Sequence, residues 1–211
     1  SEFKFYLSAI IVFSIVTFIN ISSFTSALEN ISDPFTGSVF NTVSIMTTTG
    51  FTLFDYETWP EMSKSIIFFL FFLGGMSGST SGGIKIIRTI LVFKYIRGEI
   101  ARMLHPRGVH HIKIGSNIIS GDIVRNTMGF YLFYILIFVI CTIIFSANTL
   151  SNGKEIDILS AISISASSIG NIGPGFGIIG PIHNWSLLND FSKYLATFCM
   201  LLGRLEIFTV I

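Results

Sequence analysis

Residues 127–147 run for 21 positions without a charged side chain, and this stretch restricts the available folds more than any other. A helix of that length rises about 30 Å, the thickness of a bilayer's hydrocarbon core. Residues 3–21 are nearly as apolar and nearly as long. Composition agrees: 51% of residues are hydrophobic and only 12% are charged, whereas a soluble domain carries about 25% charged residues. The expected class is an all-α membrane protein. A net charge of +1 offers no bulk field for nucleic acid.

The few charges are sorted by position. From 84 to 125 the basic residues are Lys85, Arg88, Lys94, Arg97, Arg102, Arg107, Lys113 and Arg125, against only Glu99 and Asp122. Excess Lys and Arg marks a cytoplasmic face. Residues 127–147 then carry the chain back across to an acidic link with Lys154, Glu155 and Asp157. Residues 3–21 lack the basic start and cleavage site of a signal peptide. The chain begins and ends inside hydrophobic sequence, which points to a fragment of a longer protein.

Between the spanning runs lie segments too short to cross. Asp33-Pro34 is an N-cap followed by proline at the first helical position. The helix predicted from there, 34–46, places Phe35, Val39, Phe40, Val43 and Met46 at helical spacing. At ~1.5 Å per residue it covers about 20 Å, half a membrane. Thr47-Thr48-Thr49-Gly50-Phe51 ends it. An apolar run over 65–73 then stops at Gly74-Gly75-Met76-Ser77-Gly78-Ser79-Thr80-Ser81-Gly82-Gly83, and helical patterning resumes over 84–100. Five glycines and four hydroxyls in ten residues break any helix. Such a break inside a membrane must face protein or a water-filled cavity. Further on, a short Ser-rich segment (158–169) ends at Gly170-Asn171-Ile172-Gly173-Pro174-Gly175. A final apolar run, 191–211, is interrupted by Gly203-Arg204 and Glu206.

The two halves repeat one plan. At a shift of 123, Ser44-Ile45-Met46-Thr47-Thr48-Thr49-Gly50 lies on Ser167-Ser168-Ile169-Gly170-Asn171-Ile172-Gly173. At a shift of 129, Leu73-Gly74-Gly75 lies on Leu202-Gly203-Arg204. Trp59 follows the first loop and Trp185 the second. The predicted organisation is two M1–pore-loop–M2 repeats, 1–101 and 127–211, joined by a cytoplasmic linker, 102–126. The first has a broken M2 over about 63–100, and the filters are 47–51 and 170–175. In such loops backbone carbonyls replace a cation's hydration shell, glycine supplies the dihedrals and the half-helix directs its carbonyl end at the ion. Two loops do not close a four-fold ring. Either two chains pair or two more repeats precede these, and the abrupt start favours the second.

Bland readings compete at each position. A glycine-capped helix and polar turn explains one loop but not two in register. Residues 74–83 lack the Gly-Lys-Ser/Thr ending of a phosphate loop. Gly175-Phe176-Gly177-Ile178-Ile179-Gly180 spells a dinucleotide fingerprint with no strand before it and no helix pattern after it. Close helix packing is the plain account of 74–83; a movable constriction below the filter is the sharper one. Arg204 in an apolar run reads either as a structural ion pair with another repeat or as a cation-repelling group beside the pore. Lys85 either plays a similar part or snorkels to the cytoplasm. Cys141 and Cys199 read as buried thiols, and His105, His110, His111 and His183 as solvated. Asn20, Asn30 and Asn184 open glycosylation sequons of the kind that arise by chance. No nucleophile with a base and an orienting partner is visible, so no enzyme is expected.

Thr47-Thr48-Thr49-Gly50-Phe51, the run from Gly74 through Lys85, Asn171-Ile172-Gly173-Pro174-Gly175 and Leu202-Gly203-Arg204-Leu205-Glu206-Ile207-Phe208 together resemble the Trk/Ktr family of potassium-uptake proteins, in particular its TrkH-type membrane subunits. The resemblance spans essentially the whole chain. It implies four repeats in one multi-pass chain of a bacterial or archaeal cytoplasmic membrane, these being the third and fourth. It implies potassium as substrate with no cofactor, held by carbonyls around Thr48, Thr49, Gly50, Phe51, Asn171, Ile172 and Gly173. It implies a gating loop containing Gly74, Gly75, Gly78, Ser79, Gly82 and Gly83, with Lys85 close by and Arg204 facing it. It also implies a homodimer on a cytosolic ring of nucleotide-binding regulatory subunits, with the basic 84–125 side as the contact. Family members run on past residue 211, so the last helix is expected to be cut short. The alternative is a membrane-embedded structural or assembly subunit without an ion pathway.

Overall fold

A computed structural model describes residues 2–24, 33–104, 113–114 and 117–204. Arg107, His105, His110, His111, Glu206 and the Asn30 sequon lie outside the described residues. Seven α-helices occur among those described: α1 (Glu2–Phe24), α2 (Pro34–Met46), α3 (Glu61–Leu70), α4 (Ile86–Leu104), α5 (Gly121–Ser146), α6 (Ile158–Gly170) and α7 (Asp190–Arg204). Single 3-10 turns sit at Tyr56–Thr58, Gly177–Ile179 and Trp185–Leu187. A two-stranded hairpin, β1 (Lys113–Ile114) with β2 (Asn117–Ile118), lies where the sequence suggested only a link. The class is all-helical apart from it.

Among the described residues, α1 and α5 are the helices long and apolar enough to cross a membrane. Both are hydrophobic all round, with large side chains such as Ile15, Ile19, Leu132 and Ile143 left exposed, as expected of helices that meet lipid. α2 and α6 have 13 residues each, and capping fixes where they start. The Asp33 carboxylate accepts from the amides of Phe35 (3.1 Å) and Thr36 (3.3 Å), with Pro34 at the first position. Asp157 accepts from Ser160 N at 3.2 Å. Each half-helix packs beside its spanning helix, α2 on α1 and α6 on α5, and α3 and α7 close the two units.

The first unit's helical path is broken between α3 and α4. The chain leaves after Leu73 and returns at Ile84, and the neck is closed by Gly74 N to Ile84 O (2.8 Å) and Ile86 N to Gly75 O (3.1 Å). An aromatic cluster joins the units. Phe176, from the second, enters the first unit's core at ring-centroid distances of 5.1 Å from Tyr56 and 5.8 Å from Phe71. Phe72 and Phe138 stack edge-on at 5.4 Å. Each such pair contributes about 0.5–1.5 kcal/mol beyond its buried area.

The structure also corrects one detail of the repeat. The turns Tyr56–Thr58 and Trp185–Leu187 correspond at an offset of 129, as do the starts of α3 and α7. Their caps correspond too: Asp55 accepts from Glu57 N (2.9 Å) and Asn184 from Ser186 N (3.0 Å). Trp185 therefore stands where the first unit has Tyr56, and Trp59 where the second has Leu188. The two tryptophans are not counterparts.

Candidate functional site

The two loops after α2 and α6 share a backbone path. Thr48 and Asn171 have left-handed φ angles of 55° and 53°, and Gly50 and Gly173 have positive φ angles of 78° and 106°. Thr49 N donates to Ser44 O (2.8 Å), and Ile172 N donates to Ser167 O (3.1 Å). These pairs correspond at a shift of 123. Asn tolerates the left-handed region, but a β-branched threonine there is an outlier, of the kind that clusters at functional sites.

The loops lie against each other. A Cβ built on Gly50 would stand 1.9 Å from Ile172 O, so only glycine fits that approach. The carbonyls of Thr48, Thr49, Gly50, Phe51, Asn171 and Ile172 accept no hydrogen bond among the described residues. Thr49 and Phe51 are exposed; for the half-buried Thr48, Gly50 and Asn171 and the buried Ile172 an unpaired carbonyl is uncommon. The Gly173 carbonyl accepts from Trp185 Nε1 at 3.0 Å. The Ile172 side chain turns into the core, while Phe51 points out and is 71% exposed.

Serines on one face of α6 brace the second loop, at i, i+3 and i+7. Ser160 Oγ accepts from Ile178 N (3.1 Å), Ser163 Oγ from Phe176 N (2.5 Å) and Ser167 Oγ from Gly173 N (3.1 Å). In the first unit Asn41 accepts from Leu53 N (3.2 Å) and donates to Phe54 O (3.3 Å), and the Thr47 hydroxyl lies 2.8 Å from that of Thr49. Several groups cross between units: Tyr56 OH donates to Gly175 O (2.7 Å), the Glu57 carboxylate accepts from Gly177 N, Thr52 Oγ1 donates to Pro181 O (3.4 Å), and the Thr89 and Tyr131 hydroxyls lie 2.8 Å apart. Sequence reasoning missed Asn41, Tyr56, Glu57 and these serines as loop supports. The serine spacing within an apolar half-helix was the available signal.

The 74–83 loop returns against the loops that follow α2 and α6. Gly82 N donates to Thr48 Oγ1 (3.2 Å), and a Cβ on Gly82 would stand 2.4 Å from Gly170 O. Gly74, Gly75, Gly82 and Gly83 are buried, while Ser77 through Thr80, with Gly78 and Ser79, are exposed. Lys85 does not snorkel. It is 5% exposed, and its ammonium curls back onto Ser79 O and Ser81 O at 2.6 Å each.

Arg204 closes α7 and is exposed, and no hydrogen bond or ion pair joins it to the 74–83 loop among the described residues. Its neighbour Gly203 packs so closely under α6 that a Cβ would stand 1.9 Å from Ile169 O. Asn171 Nδ2 donates to Met200 O at 3.0 Å, tying α7 to the second loop. Cys141 and Cys199 are buried free thiols 3.2 Å apart. Among the described residues no three His, Cys, Asp or Glu side chains gather as a metal site.

Comparison with known proteins identifies the fold. The crystal structure of the potassium transporter TrkH from Vibrio parahaemolyticus superposes with a TM-score of 0.87 at 35% identity, over 99% of this chain and 43% of that one. The Trk system potassium uptake protein TrkH of the same species is 38% identical over 85% of this chain and 35% of its own length. TrkH of Escherichia coli K12 is 34% identical over 89% and 36% of the two lengths, and TrkG of that strain 32% identical over 100% and 41%. The chain thus spans well under half the length of the curated relatives it matches. The TrkH model, described as a cation transport protein, matches residues 4–211, and this chain belongs to the TrkH family of membrane cation transport proteins.

Proposed function

We propose that this chain supplies two quadrants of a potassium-conducting pore. The observation that carries the reading is the pair of loops with matched dihedrals, lying side by side with six unpartnered carbonyls at the ends of two half-length helices. A dehydrated monovalent cation needs such oxygens, and the negative ends of α2 and α6 favour it there. Thr48, Thr49, Gly50, Phe51, Asn171, Ile172 and Gly173 form the filter. The 74–83 loop, with Lys85 and Arg204, controls passage beneath it. Potassium is the substrate, no cofactor takes part and no bond is made or broken, so the protein is not an enzyme. The relatives' printed names, potassium uptake proteins, support the choice of ion.

The remaining quadrants come from two further repeats of the same chain. The full protein crosses the cytoplasmic membrane several times and works as a homodimer with a cytosolic nucleotide-binding regulatory subunit. The basic exposed end of α4, with Arg97 and Arg102, suits that contact.

Rubidium flux through the full-length protein in vesicles tests the pore. Gly173 is the informative filter position, because a Cβ there meets nothing within 4 Å and only the φ of 106° is strained. Gly173→Ser is expected to lower rubidium-over-sodium selectivity, and Arg204→Ala to raise flux. If both variants conduct and select as the parent does, the pore reading fails.

A further inference from the structure

We propose that Cys141 and Cys199 form a reversible oxidation site, in which a quinone dissolved in the bilayer joins them as a disulfide that fastens α7 to α5. The site is read from the two thiols alone; its bearing on ion flow rests on the pore reading above.

The chain has two cysteines in 211 residues. They stand 58 positions apart and end at one contact, with their sulfurs 3.2 Å from each other. A disulfide needs about 2.05 Å, so closing the bond asks for a shift of only roughly 1 Å. A metal ion fits the pair less well. Two thiolates at about 2.3 Å from a shared ion keep their sulfurs roughly 3.8–4.6 Å apart, wider than the distance found. The face of α7 that carries Cys199 is made of small residues. Ala196 is buried one turn before it, and Gly203, one turn after, lies against Ile169 O. Plain packing is the competing account of two buried thiols, and susceptibility to oxidation separates the two.

The surroundings select the oxidant. Cys199 is wholly buried and Cys141 nearly so, while their neighbours Ile140, Ile143, Phe198 and Leu201 are exposed. α5 has the length and apolarity of a spanning helix, so the medium outside this contact is lipid. An apolar oxidant can reach it and a charged one in water cannot. In the net step two S–H bonds break and one S–S bond forms. Two electrons and two protons pass to the quinone, which becomes the quinol, and no charge is left in the apolar wall.

The bond would act on the second loop through one residue. Cys199 is followed by Met200, whose carbonyl accepts from Asn171 Nδ2 at 3.0 Å. Asn171 is the left-handed residue of that loop. Fixing Cys199 to α5 therefore fixes the carbonyl that holds Asn171.

The test exposes the full-length protein in vesicles to decylubiquinone, whose fully substituted ring oxidises thiols without alkylating them. Peptide mass spectrometry is expected to find the 141–199 cross-link, to lose it on adding dithiothreitol, and to find none in Cys141→Ser or Cys199→Ser. Oxidised glutathione, which stays in water, should yield about tenfold less cross-link, because access governs the reaction. Thiols that stay reduced with the quinone, or equal oxidation by both reagents, overturn the site. In the cross-linked protein, amide exchange over 199–203 should slow about tenfold, with the β1–β2 hairpin unchanged. A cross-link that leaves this exchange as it was overturns the fastening of α7. Rubidium flux should fall on oxidation and recover with dithiothreitol, and Cys199→Ser should show neither change. A formed cross-link with unaltered flux overturns the effect on ion flow, while Gly173→Ser in the same assay reports separately on the pore.

Discussion

Thr48 shows what single residues carry in this molecule. Its φ of 55° is one an L-residue with a branched Cβ avoids, and its hydroxyl accepts from Gly82. The sequence reading placed Thr48 in a loop but had no access to its dihedral, which depends on the facing loop rather than on local propensity. Lys85 was illegible for the same reason, because its acceptors come from a detour whose path the sequence does not fix. The glycines divide by what surrounds them. Gly98, inside α4, has nothing within 4 Å of a built Cβ, whereas Gly203 would drive one to 1.9 Å from Ile169 O. Gly98→Ala should therefore stabilise the protein by ~0.5–1 kcal/mol, the helix-interior difference between the two residues. Gly203→Ala should destabilise it by about 1–3 kcal/mol through overpacking. Equilibrium unfolding of the two variants in detergent, with opposite shifts, checks both.

At the scale of elements, the helix breaks were legible because glycine and hydroxyl clusters cannot continue a helix. Asp33-Pro34 announced its helix start through capping chemistry that needs no tertiary partner. What was not legible is the use made of α6. Its buried serines look alike in sequence, yet Ser163 Oγ holds Phe176 N at 2.5 Å while Ser165 Oγ has no partner among the described residues. Removing a hydroxyl that satisfies a buried amide leaves that amide unpaired, whereas removing an unsatisfied one does not. Ser163→Ala should cost about 1–3 kcal/mol and loosen the second loop. Ser165→Ala should be neutral or stabilising by up to ~0.5 kcal/mol from helix propensity. Unfolding curves for the pair distinguish a brace from a merely polar face, and equal losses would sink the distinction.

For the whole molecule, the repeat was legible at its start because glycine positions survive as backbone requirements. It blurred after the filters. Trp59 and Trp185 attracted the eye, but the second copy puts its tryptophan where the first has Tyr56. That exchange sets how the units join. Trp185 bonds the Gly173 carbonyl of its own unit's loop, while Tyr56 reaches across to Gly175. Tyr56 and Ser163 are wholly buried and Phe176 is nearly so, and the segment from Gly173 to Gly177 is gripped from α6 by serines and from the first unit by Tyr56 and Glu57. Tyr56→Phe keeps the ring in the aromatic cluster and leaves the Gly175 carbonyl unpaired, a loss of about 1–2 kcal/mol. Because Tyr56 and Ser163 hold adjacent residues of one loop, their effects should couple. The double variant should deviate from additivity by about 0.5 kcal/mol or more, whereas Tyr56→Phe combined with the distant Gly98→Ala should add. The same coupling should appear in function, with rubidium-over-sodium selectivity falling further in the double variant than the single losses predict. Additive stability and unchanged selectivity would mean that the second loop keeps its shape without the first unit.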